Sequence, residues 1–422
     1  MARARGISRR RFLAQAGMGL AAPYVLTGTA LGAPDKAPAS DRIIVGAIGT
    51  GGRGTALLGM NNYPCCTIAA VCDVFEPHMA RAKQRIGEAC QATKDFRHII
   101  DRRDIDAVTI GTPDHWHAPI TVMACESGKD VYCEKPLCRT IVDGQKMIEA
   151  ARRHGRVVQM GTQYRSMAGT RQACEWVRNG RLGKVTAVHM SHACNPRQRV
   201  MAPGEPPANL DWDLWLGPAP WAPYNPYRCL FNFRFWVDYA GGFITDNGTH
   251  MFSVVAWAMG IDGTGPATIE ATGRQDPESM YDVPVEMSVR YEFADPPFLL
   301  TWDQPGTGGL NLEFVGADAT LSGFWGFKVT RGEADLSPTR GNEVHLQESN
   351  DHFGNWFECI ATRRRPVMDV ELGHRATSLS HLGNIAYRVG RKLRWDPVAQ
   401  RFIGDDEANR RLHVPYREPW RL

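Results

Sequence analysis

The 422-residue chain carries 49 Lys and Arg against 45 Asp and Glu, a formal charge of +4. Six of those bases and one of the acids lie in the first 39 residues, so the 383 residues that follow stand near −1 and offer nucleic acid no basic surface. That length suffices for two domains with full cores, and eleven cysteines without a CxxC pair exclude both a complete disulfide framework and zinc-finger spacing.

Ser8-Arg9-Arg10-Arg11-Phe12-Leu13 resembles the twin-arginine export signal S-R-R-x-F-L, and the uncharged stretch 12–33 supplies a weakly apolar segment behind it. Gly17, Gly19, Pro23, Gly28 and Gly32 interrupt that stretch and leave too little continuous hydrocarbon for a good membrane span. Ala37-Pro38-Ala39 has the small-x-small form of a cleavage site, whereas a cut after Ala33 would meet Pro34. Residues 1–39 are therefore expected to be a signal peptide read by the twin-arginine machinery, with the mature protein periplasmic or secreted. No cysteine in the first sixty residues offers a lipid anchor, and folding before export, in a reducing compartment, predicts buried, inert thiols.

Residues 40–165 alternate strand and helix. "RIIVGAIG", "CTIAAVCD", "DIDAVTIGTP" and "KDVYCEKP" are short β-branched or small-residue runs, and "RVVQMGTQYR" closes the series. Between them, stretches such as "EPHMARAKQRIGEA" and "IVDGQKMIEAARRHG" place apolar residues at three- and four-residue spacing. This alternation predicts an α/β domain with a parallel, doubly wound sheet of the Rossmann kind. Residues 166–395 read as a second, α+β domain. A helix near 170–179 precedes period-two strands, "KVTAVHMSH", "PVEMSVRYEF" and "NLEFVGADATL", which predict a mainly antiparallel open sheet. Two amphipathic helices follow ("HFGNWFECIATRR" and "VELGHRATSLSHLGNIAYRVG"), and 396–422 is expected to be an irregular tail.

Gly49, Gly51, Gly52, Arg53 and Gly54 lie in a G-x-G-x-x-G placed directly after the first strand and opening a helix. There the glycines allow a tight turn and close backbone approach, and the helix N-terminus meets a pyrophosphate with unpaired N–H groups. Asp73 ends the second strand, where a carboxylate accepts from ribose hydroxyls and repels a 2′-phosphate, which favours NAD with NADP as the alternative. Glu134, Lys135 and Pro136 stand at the C-terminal end of a later strand, the edge at which ligands sit in open α/β sheets. A lysine there can favour negative charge developing on a substrate oxygen. Asp246 and His250, four residues apart in "GGFITDNGTHMFSVVAWAMG", share a helix face, so one cleft can hold a titrating imidazole and the carboxylate that orients it.

The nucleotide fold whose late strand ends in E-K-P, followed by a domain with a D-x-x-x-H helix, resembles the Gfo/Idh/MocA oxidoreductase family over nearly the whole mature chain. The resemblance implies that Lys135 binds substrate beside the nicotinamide, that Asp246 and His250 form the sugar-hydroxyl site with His250 taking the proton, and that Pro113 and His117 in "GTPDHWHAPI" lie near the dinucleotide, as does Glu134. It further implies a sugar, glycoside or cyclitol substrate and a homo-oligomer built through the second-domain sheet. The export signal and the long loop 210–236 resemble secreted members, for which a tightly held, recycled cofactor is expected. In that loop Trp212, Trp215, Trp221, Tyr224, Tyr227 and Trp236 can stack on pyranose faces or fill a core, and Tyr164 and Arg165 are further candidate substrate contacts.

Two other readings compete. Asp114, His115 and His117, with His189 and His192, could be metal ligands of a lyase or hydrolase, or the same fold could cleave glycosides by oxidation and elimination; no metal site is expected, because the spacing alone does not close one. A non-catalytic sugar-binding protein would be marked by loss of Lys135 or His250, and both are present.

Overall fold

A computed structural model describes residues 38, 41–305 and 309–422. The twin-arginine motif and its cleavage point lie outside the described residues.

The first sheet contains β1 (Ile43–Ile48), β2 (Cys66–Cys72), β3 (Gln91–Thr93), β4 (Ala107–Ile110), β5 (Asp130–Cys133) and β6 (Val158–Met160) in the order β3-β2-β1-β4-β5-β6. Every neighbouring pair is parallel. Strands β4, β5 and β6 are buried at every position, as a sheet covered on both faces requires, and their polar members are satisfied there: Asp130 accepts from the Val157 N–H and Gln159 donates to the His352 carbonyl. The crossovers are α1 (Gly52–Leu57), α2 (Glu76–Ile86), α3 (Arg97–Ile100), α4 (His117–Glu126) and α5 (Ile141–Arg153). Thr140 starts α5 by accepting from the Asp143 N–H. The closing strand is shorter than "RVVQMGTQYR" suggests. After Met160 the chain turns, with the Gly161 N–H bonded to the Cys133 carbonyl, and 163–166 forms a 3₁₀ turn.

After α6 (Ala168–Arg178) comes a nine-stranded sheet ordered β13-β12-β11-β7-β10-β9-β8-β14-β15. Its strands are β7 (Val185–Ser191), β8 (Thr268–Arg274), β9 (Glu286–Ala294), β10 (Pro297–Asp303), β11 (Asn311–Gly316), β12 (Ala319–Ser322), β13 (Lys328–Gly332), β14 (Leu393–Asp396) and β15 (Arg401–Phe402). Only the β7–β10 pair is parallel. Strand β9 alternates buried Met287, Val289, Tyr291 and Phe293 with exposed Ser288, Arg290 and Glu292, a sheet with one face on the core. "NLEFVGADATL" is a hairpin rather than one strand, because the Ala317 and Asp318 N–H groups turn to the Lys184 and Leu182 carbonyls. The region 396–422 is more regular than expected: β15 pairs with β14, and a short helix, 406–410, is capped by the Asp405 side chain.

Between β7 and β8 lie α7 (Trp212–Leu216), α8 (Phe243–Asp246) and α9 (Gly248–Met259), the last buried nearly all round against the second sheet's core. Helix α10 (His352–Thr362) puts Trp356, Phe357 and Ile360 into one core with Val45 and Tyr132 of the first sheet and Leu57 of α1. Helix α11 (Val370–Val389) joins the two halves: Val370 and Ala376 pack with the first sheet's core, Leu379, Leu382 and Ala386 with the second's. Nine of the eleven cysteines are buried, Cys65 and Cys194 being the half-buried ones.

Candidate active site

The glycine loop follows β1 without a spare atom. Gly49 has φ +76°, a conformation that disfavours a side chain, and a Cβ there would lie 2.5 Å from the Thr112 nitrogen. A Cβ on Gly54 would lie 1.8 Å from the Gly49 carbonyl oxygen. A Cβ on Gly52, by contrast, meets nothing within 4 Å, so this glycine leaves open space beside the helix start. Asp73, nine-tenths buried at the end of β2, ties the loop down: its carboxylate accepts from the Thr50 N–H at 2.8 Å and the Phe75 N–H at 2.9 Å, and His78 Nδ1 stands 3.5 Å away.

From this loop a groove of about 470 Å³ runs along the carboxyl ends of the strands, within the ordinary range of a cofactor cleft. Gly49, Gly51, Gly52, Arg53, Asp73, Pro113, Glu134 and Lys135 all line it. So do Leu214, Trp215, Phe231, Phe233 and Arg234 from the second half of the chain. A dinucleotide fits this donor set: a glycine turn at a helix start, a carboxylate at the end of β2, and apolar walls for the rings. Arg53 and Glu134 face each other within the groove, Nε to Oε1 at 2.7 Å. Burial pushes the Glu134 carboxyl upward against the opposing pull of Arg53.

The groove ends at Lys135. Its ammonium is ion-paired with Asp246 Oδ1 and donates to the Asp246 backbone carbonyl at 3.2 Å. Asp246 also has Arg234 Nε 3.3 Å from the same Oδ1. Burial alone would raise the Asp246 carboxyl, but Lys135 and then Arg234 outweigh it and hold the group at about 2, ionised at neutral pH. His250 follows on α9 beyond a break at Asn247, and its buried Nδ1 has no hydrogen-bond partner. Burial, and next the Lys135 charge, keep its pKa well below the ordinary histidine value, so the ring is neutral and able to accept a proton. The Tyr164 ring stands edge-on to it at 5.0 Å.

Other expected residues stand elsewhere. His117 is buried behind the groove rather than lining it, with Nδ1 2.7 Å from the Pro136 carbonyl and Nε2 3.0 Å from the Thr112 carbonyl, where it braces the two loops that frame the site. Burial lowers it to about 4. Arg165 turns away into a buried pair with Asp262 and donates to the Ser253 carbonyl. In the aromatic loop Trp212 stacks on Trp215, Trp236 lies under the Arg228 guanidinium, and only Trp221 is strongly exposed, so most of these rings build a local core. The histidines weighed as metal ligands are scattered: His115 faces the Trp215 carbonyl, His189 the Thr301 hydroxyl and His192 the Asn247 amide. Among the described residues no three His, Cys, Asp or Glu side chains form a group that could hold a metal ion. Sequence reasoning missed Arg234, Phe231 and Phe233, whose only signal is an arginine among phenylalanines in "FNFRFW". It took Asp114 only as a metal ligand; the side chain is buried near Asp246, and burial raises it to about 8.

A Rossmann sheet joined to an open second sheet, with a dinucleotide groove that reaches a lysine paired with Asp246, defines the class of nucleotide-dependent oxidoreductases. The chain belongs to the Gfo/Idh/MocA oxidoreductase family: residues 43–162 match its NAD-binding Rossmann fold and residues 175–422 its C-terminal alpha/beta domain. Among similar proteins, levoglucosan dehydrogenase of Pseudarthrobacter phenanthrenivorans is 34% identical over 29% of this chain and 31% of its own. Inositol 2-dehydrogenase of Salmonella typhimurium is 32% identical over 30% of this chain and 38% of its own. The match thus spans about a third of the length of these curated relatives. The solved structure of aldose-aldose oxidoreductase from Caulobacter crescentus, complexed with glycerol, shares the fold with a TM-score of 0.62 and 20% identity, covering 84% of this chain and 99% of that one.

Proposed function

We propose that this protein is an exported, NAD-dependent oxidoreductase acting on a hydroxyl of a sugar, glycoside or cyclitol. The observation that carries the reading is the end of the groove, where Lys135 is paired with Asp246, four residues before a neutral His250 across the break at Asn247. When bound, the nicotinamide supplies an acceptor for two electrons and one hydrogen nucleus from the substrate carbon. His250 takes the hydroxyl proton at a ring nitrogen, Lys135 stabilises the charge that develops on the oxygen, and Asp246 holds the lysine and orients a neighbouring hydroxyl. The relatives named for levoglucosan and inositol support a polyhydroxylated ring as substrate.

Export by the twin-arginine route carries a folded protein away from the cytoplasmic NAD pool, so the cofactor travels inside it and each oxidation is balanced at the same site. Either one sugar is oxidised and a second reduced, or a transient keto-sugar activates a neighbouring bond for elimination and is then reduced. Walls from both halves of the chain, Trp215 and Phe231 facing the glycine loop, support retention. Mature protein recovered from the native export route should release close to one dinucleotide per chain by mass spectrometry and turn over without added NAD. Empty protein that consumes free NAD stoichiometrically would overturn the closed cycle and leave the oxidoreductase reading standing.

A further inference from the structure

A second cavity, of about 260 Å³, lies where the C-terminal segment meets both halves of the chain, and it shares no lining residue with the cofactor groove. Its walls come from the start of α5, the loop 237–241, Val283 and Pro284, the end of α11 and residues 410–415. Four arginines line it, Arg139, Arg388, Arg410 and Arg411, and no Asp or Glu does.

Arg139 is nine-tenths buried, yet its guanidinium makes one hydrogen bond, from Nε to the Val237 carbonyl at 3.3 Å. Among the described residues neither Nη has a hydrogen-bond partner or a carboxylate oxygen within 4 Å, and neither is sealed from the cavity. The acids whose charges act on Arg139 and Arg388 are engaged elsewhere. Asp143 accepts from the Tyr416 hydroxyl at 3.0 Å, Asp282 accepts from the Val237 N–H at 2.6 Å, and Asp238 stands 3.8 Å from Arg228. Arg388 and Arg410 stand in the last turns of α11 and of the helix 406–410, where a cation is favoured, and neither makes an ion pair among the described residues. Asp405, whose carboxylate feels the charge of Arg410, is held by Arg391, and Arg411 reaches Glu407 at 3.5 Å. A guanidinium fork held by its Nε and backed by further cations is a receptor for phosphate or carboxylate oxygens. A buried cation without a partner is costly, and an oxyanion bridging these arginines removes that cost.

We propose that this cavity binds a small multivalent oxyanion, a phosphate or a polycarboxylate, which ties the C-terminal segment to the stretches that carry Lys135 and Asp246. Arg139 follows Lys135 by four residues and Gly241 precedes Asp246 by five, so an occupant touches both stretches. The test uses NAD-loaded protein, in which the glycine loop is already filled, titrated calorimetrically with inorganic phosphate, sulfate and citrate at an ionic strength held constant with sodium chloride. One site per chain is expected, with a thermal midpoint that rises with anion concentration. Arg139→Gln should weaken binding about ten- to a hundredfold, the scale of hydrogen bonds to a charged group. The double variant Arg388→Gln/Arg410→Gln alters exposed side chains only, and should weaken binding severalfold while bound NAD stays at the wild-type amount. Phosphate or sulfate bound more tightly than citrate assigns the site to phosphate-like anions, and the reverse assigns it to polycarboxylates. No saturable binding of any probe, or wild-type affinity in the double variant, would overturn the site.

Discussion

The roles proposed for Lys135 and His250 rest on charge state rather than position alone. The lysine stays paired with an ionised Asp246, and the histidine is kept neutral by burial and by the lysine's own charge. Lys135→Ala or His250→Ala should lower turnover by roughly two or more orders of magnitude, the usual scale of electrostatic and acid-base contributions. The dinucleotide released on denaturation should remain at the wild-type amount, because the glycine loop and Asp73 are untouched. Near-normal turnover in either variant would remove that residue from the mechanism. Asp73, the carboxylate expected to read the ribose, accepts two backbone N–H groups that shape the loop.

At the scale of elements, the cofactor loop is a three-way backbone contact between the turn after β1, the start of α1 and the turn after β4. Gly54 stands where a methyl would lie 1.8 Å from the Gly49 carbonyl oxygen, an atom with no rotamer to escape into. Gly54→Ala should therefore push α1 away from β1 and abolish cofactor retention, measured as dinucleotide per chain. Retention unchanged in a folded variant would show that the loop does not grip the cofactor. The second clamp is the aromatic loop, held to the turn after β4 by the Trp116 indole, which donates to the Leu214 and Trp215 carbonyls at 3.1 Å. Through that contact the second half of the chain supplies one wall of the first half's groove.

Across the whole molecule, burial keeps His115 at about 3 and His117, His352, His374 and His381 at about 4, with His250 also well below 6.5. An unfolded chain binds protons at these six sites as soon as pH falls through 6.5, while the folded chain does not, so their stability contribution is complete above 6.5 and lost towards 4. Each one removes up to about 1.4 kcal/mol per pH unit in that window. Asp114, Glu134, Asp143 and Asp282, raised by burial, act in the opposite sense but are fewer. The urea midpoint should fall between pH 6.5 and 4; a flat or rising midpoint would refute this account. A homo-oligomer built on the exposed side of the nine-stranded sheet, where Ser288, Arg290 and Glu292 face outward, is a further proposal. Light scattering should give a multiple of the chain mass, and a monomer at micromolar concentration would dismiss it.

The cofactor half was legible because its signals are local. Strand, glycine turn, helix and acid follow one another within about thirty residues, and a parallel sheet buried on both faces writes itself as apolar runs. Lys135, Asp246 and His250 could be named for the same reason, each sitting at a strand end or helix start that sequence pattern marks. What pattern could not reach was long-range packing. Loop 210–236 turned Trp212, Trp215 and Trp236 inward to make a core, His117 became a brace between two loops, and Arg165 found Asp262 across the fold. Arg234 came to share an oxygen of Asp246 with Lys135 only because a loop folded over the groove. Periodicity specifies which face of an element is buried; which charge stands beside which, and therefore which protons are held and which substrates are admitted, is set by contacts between residues far apart in the chain.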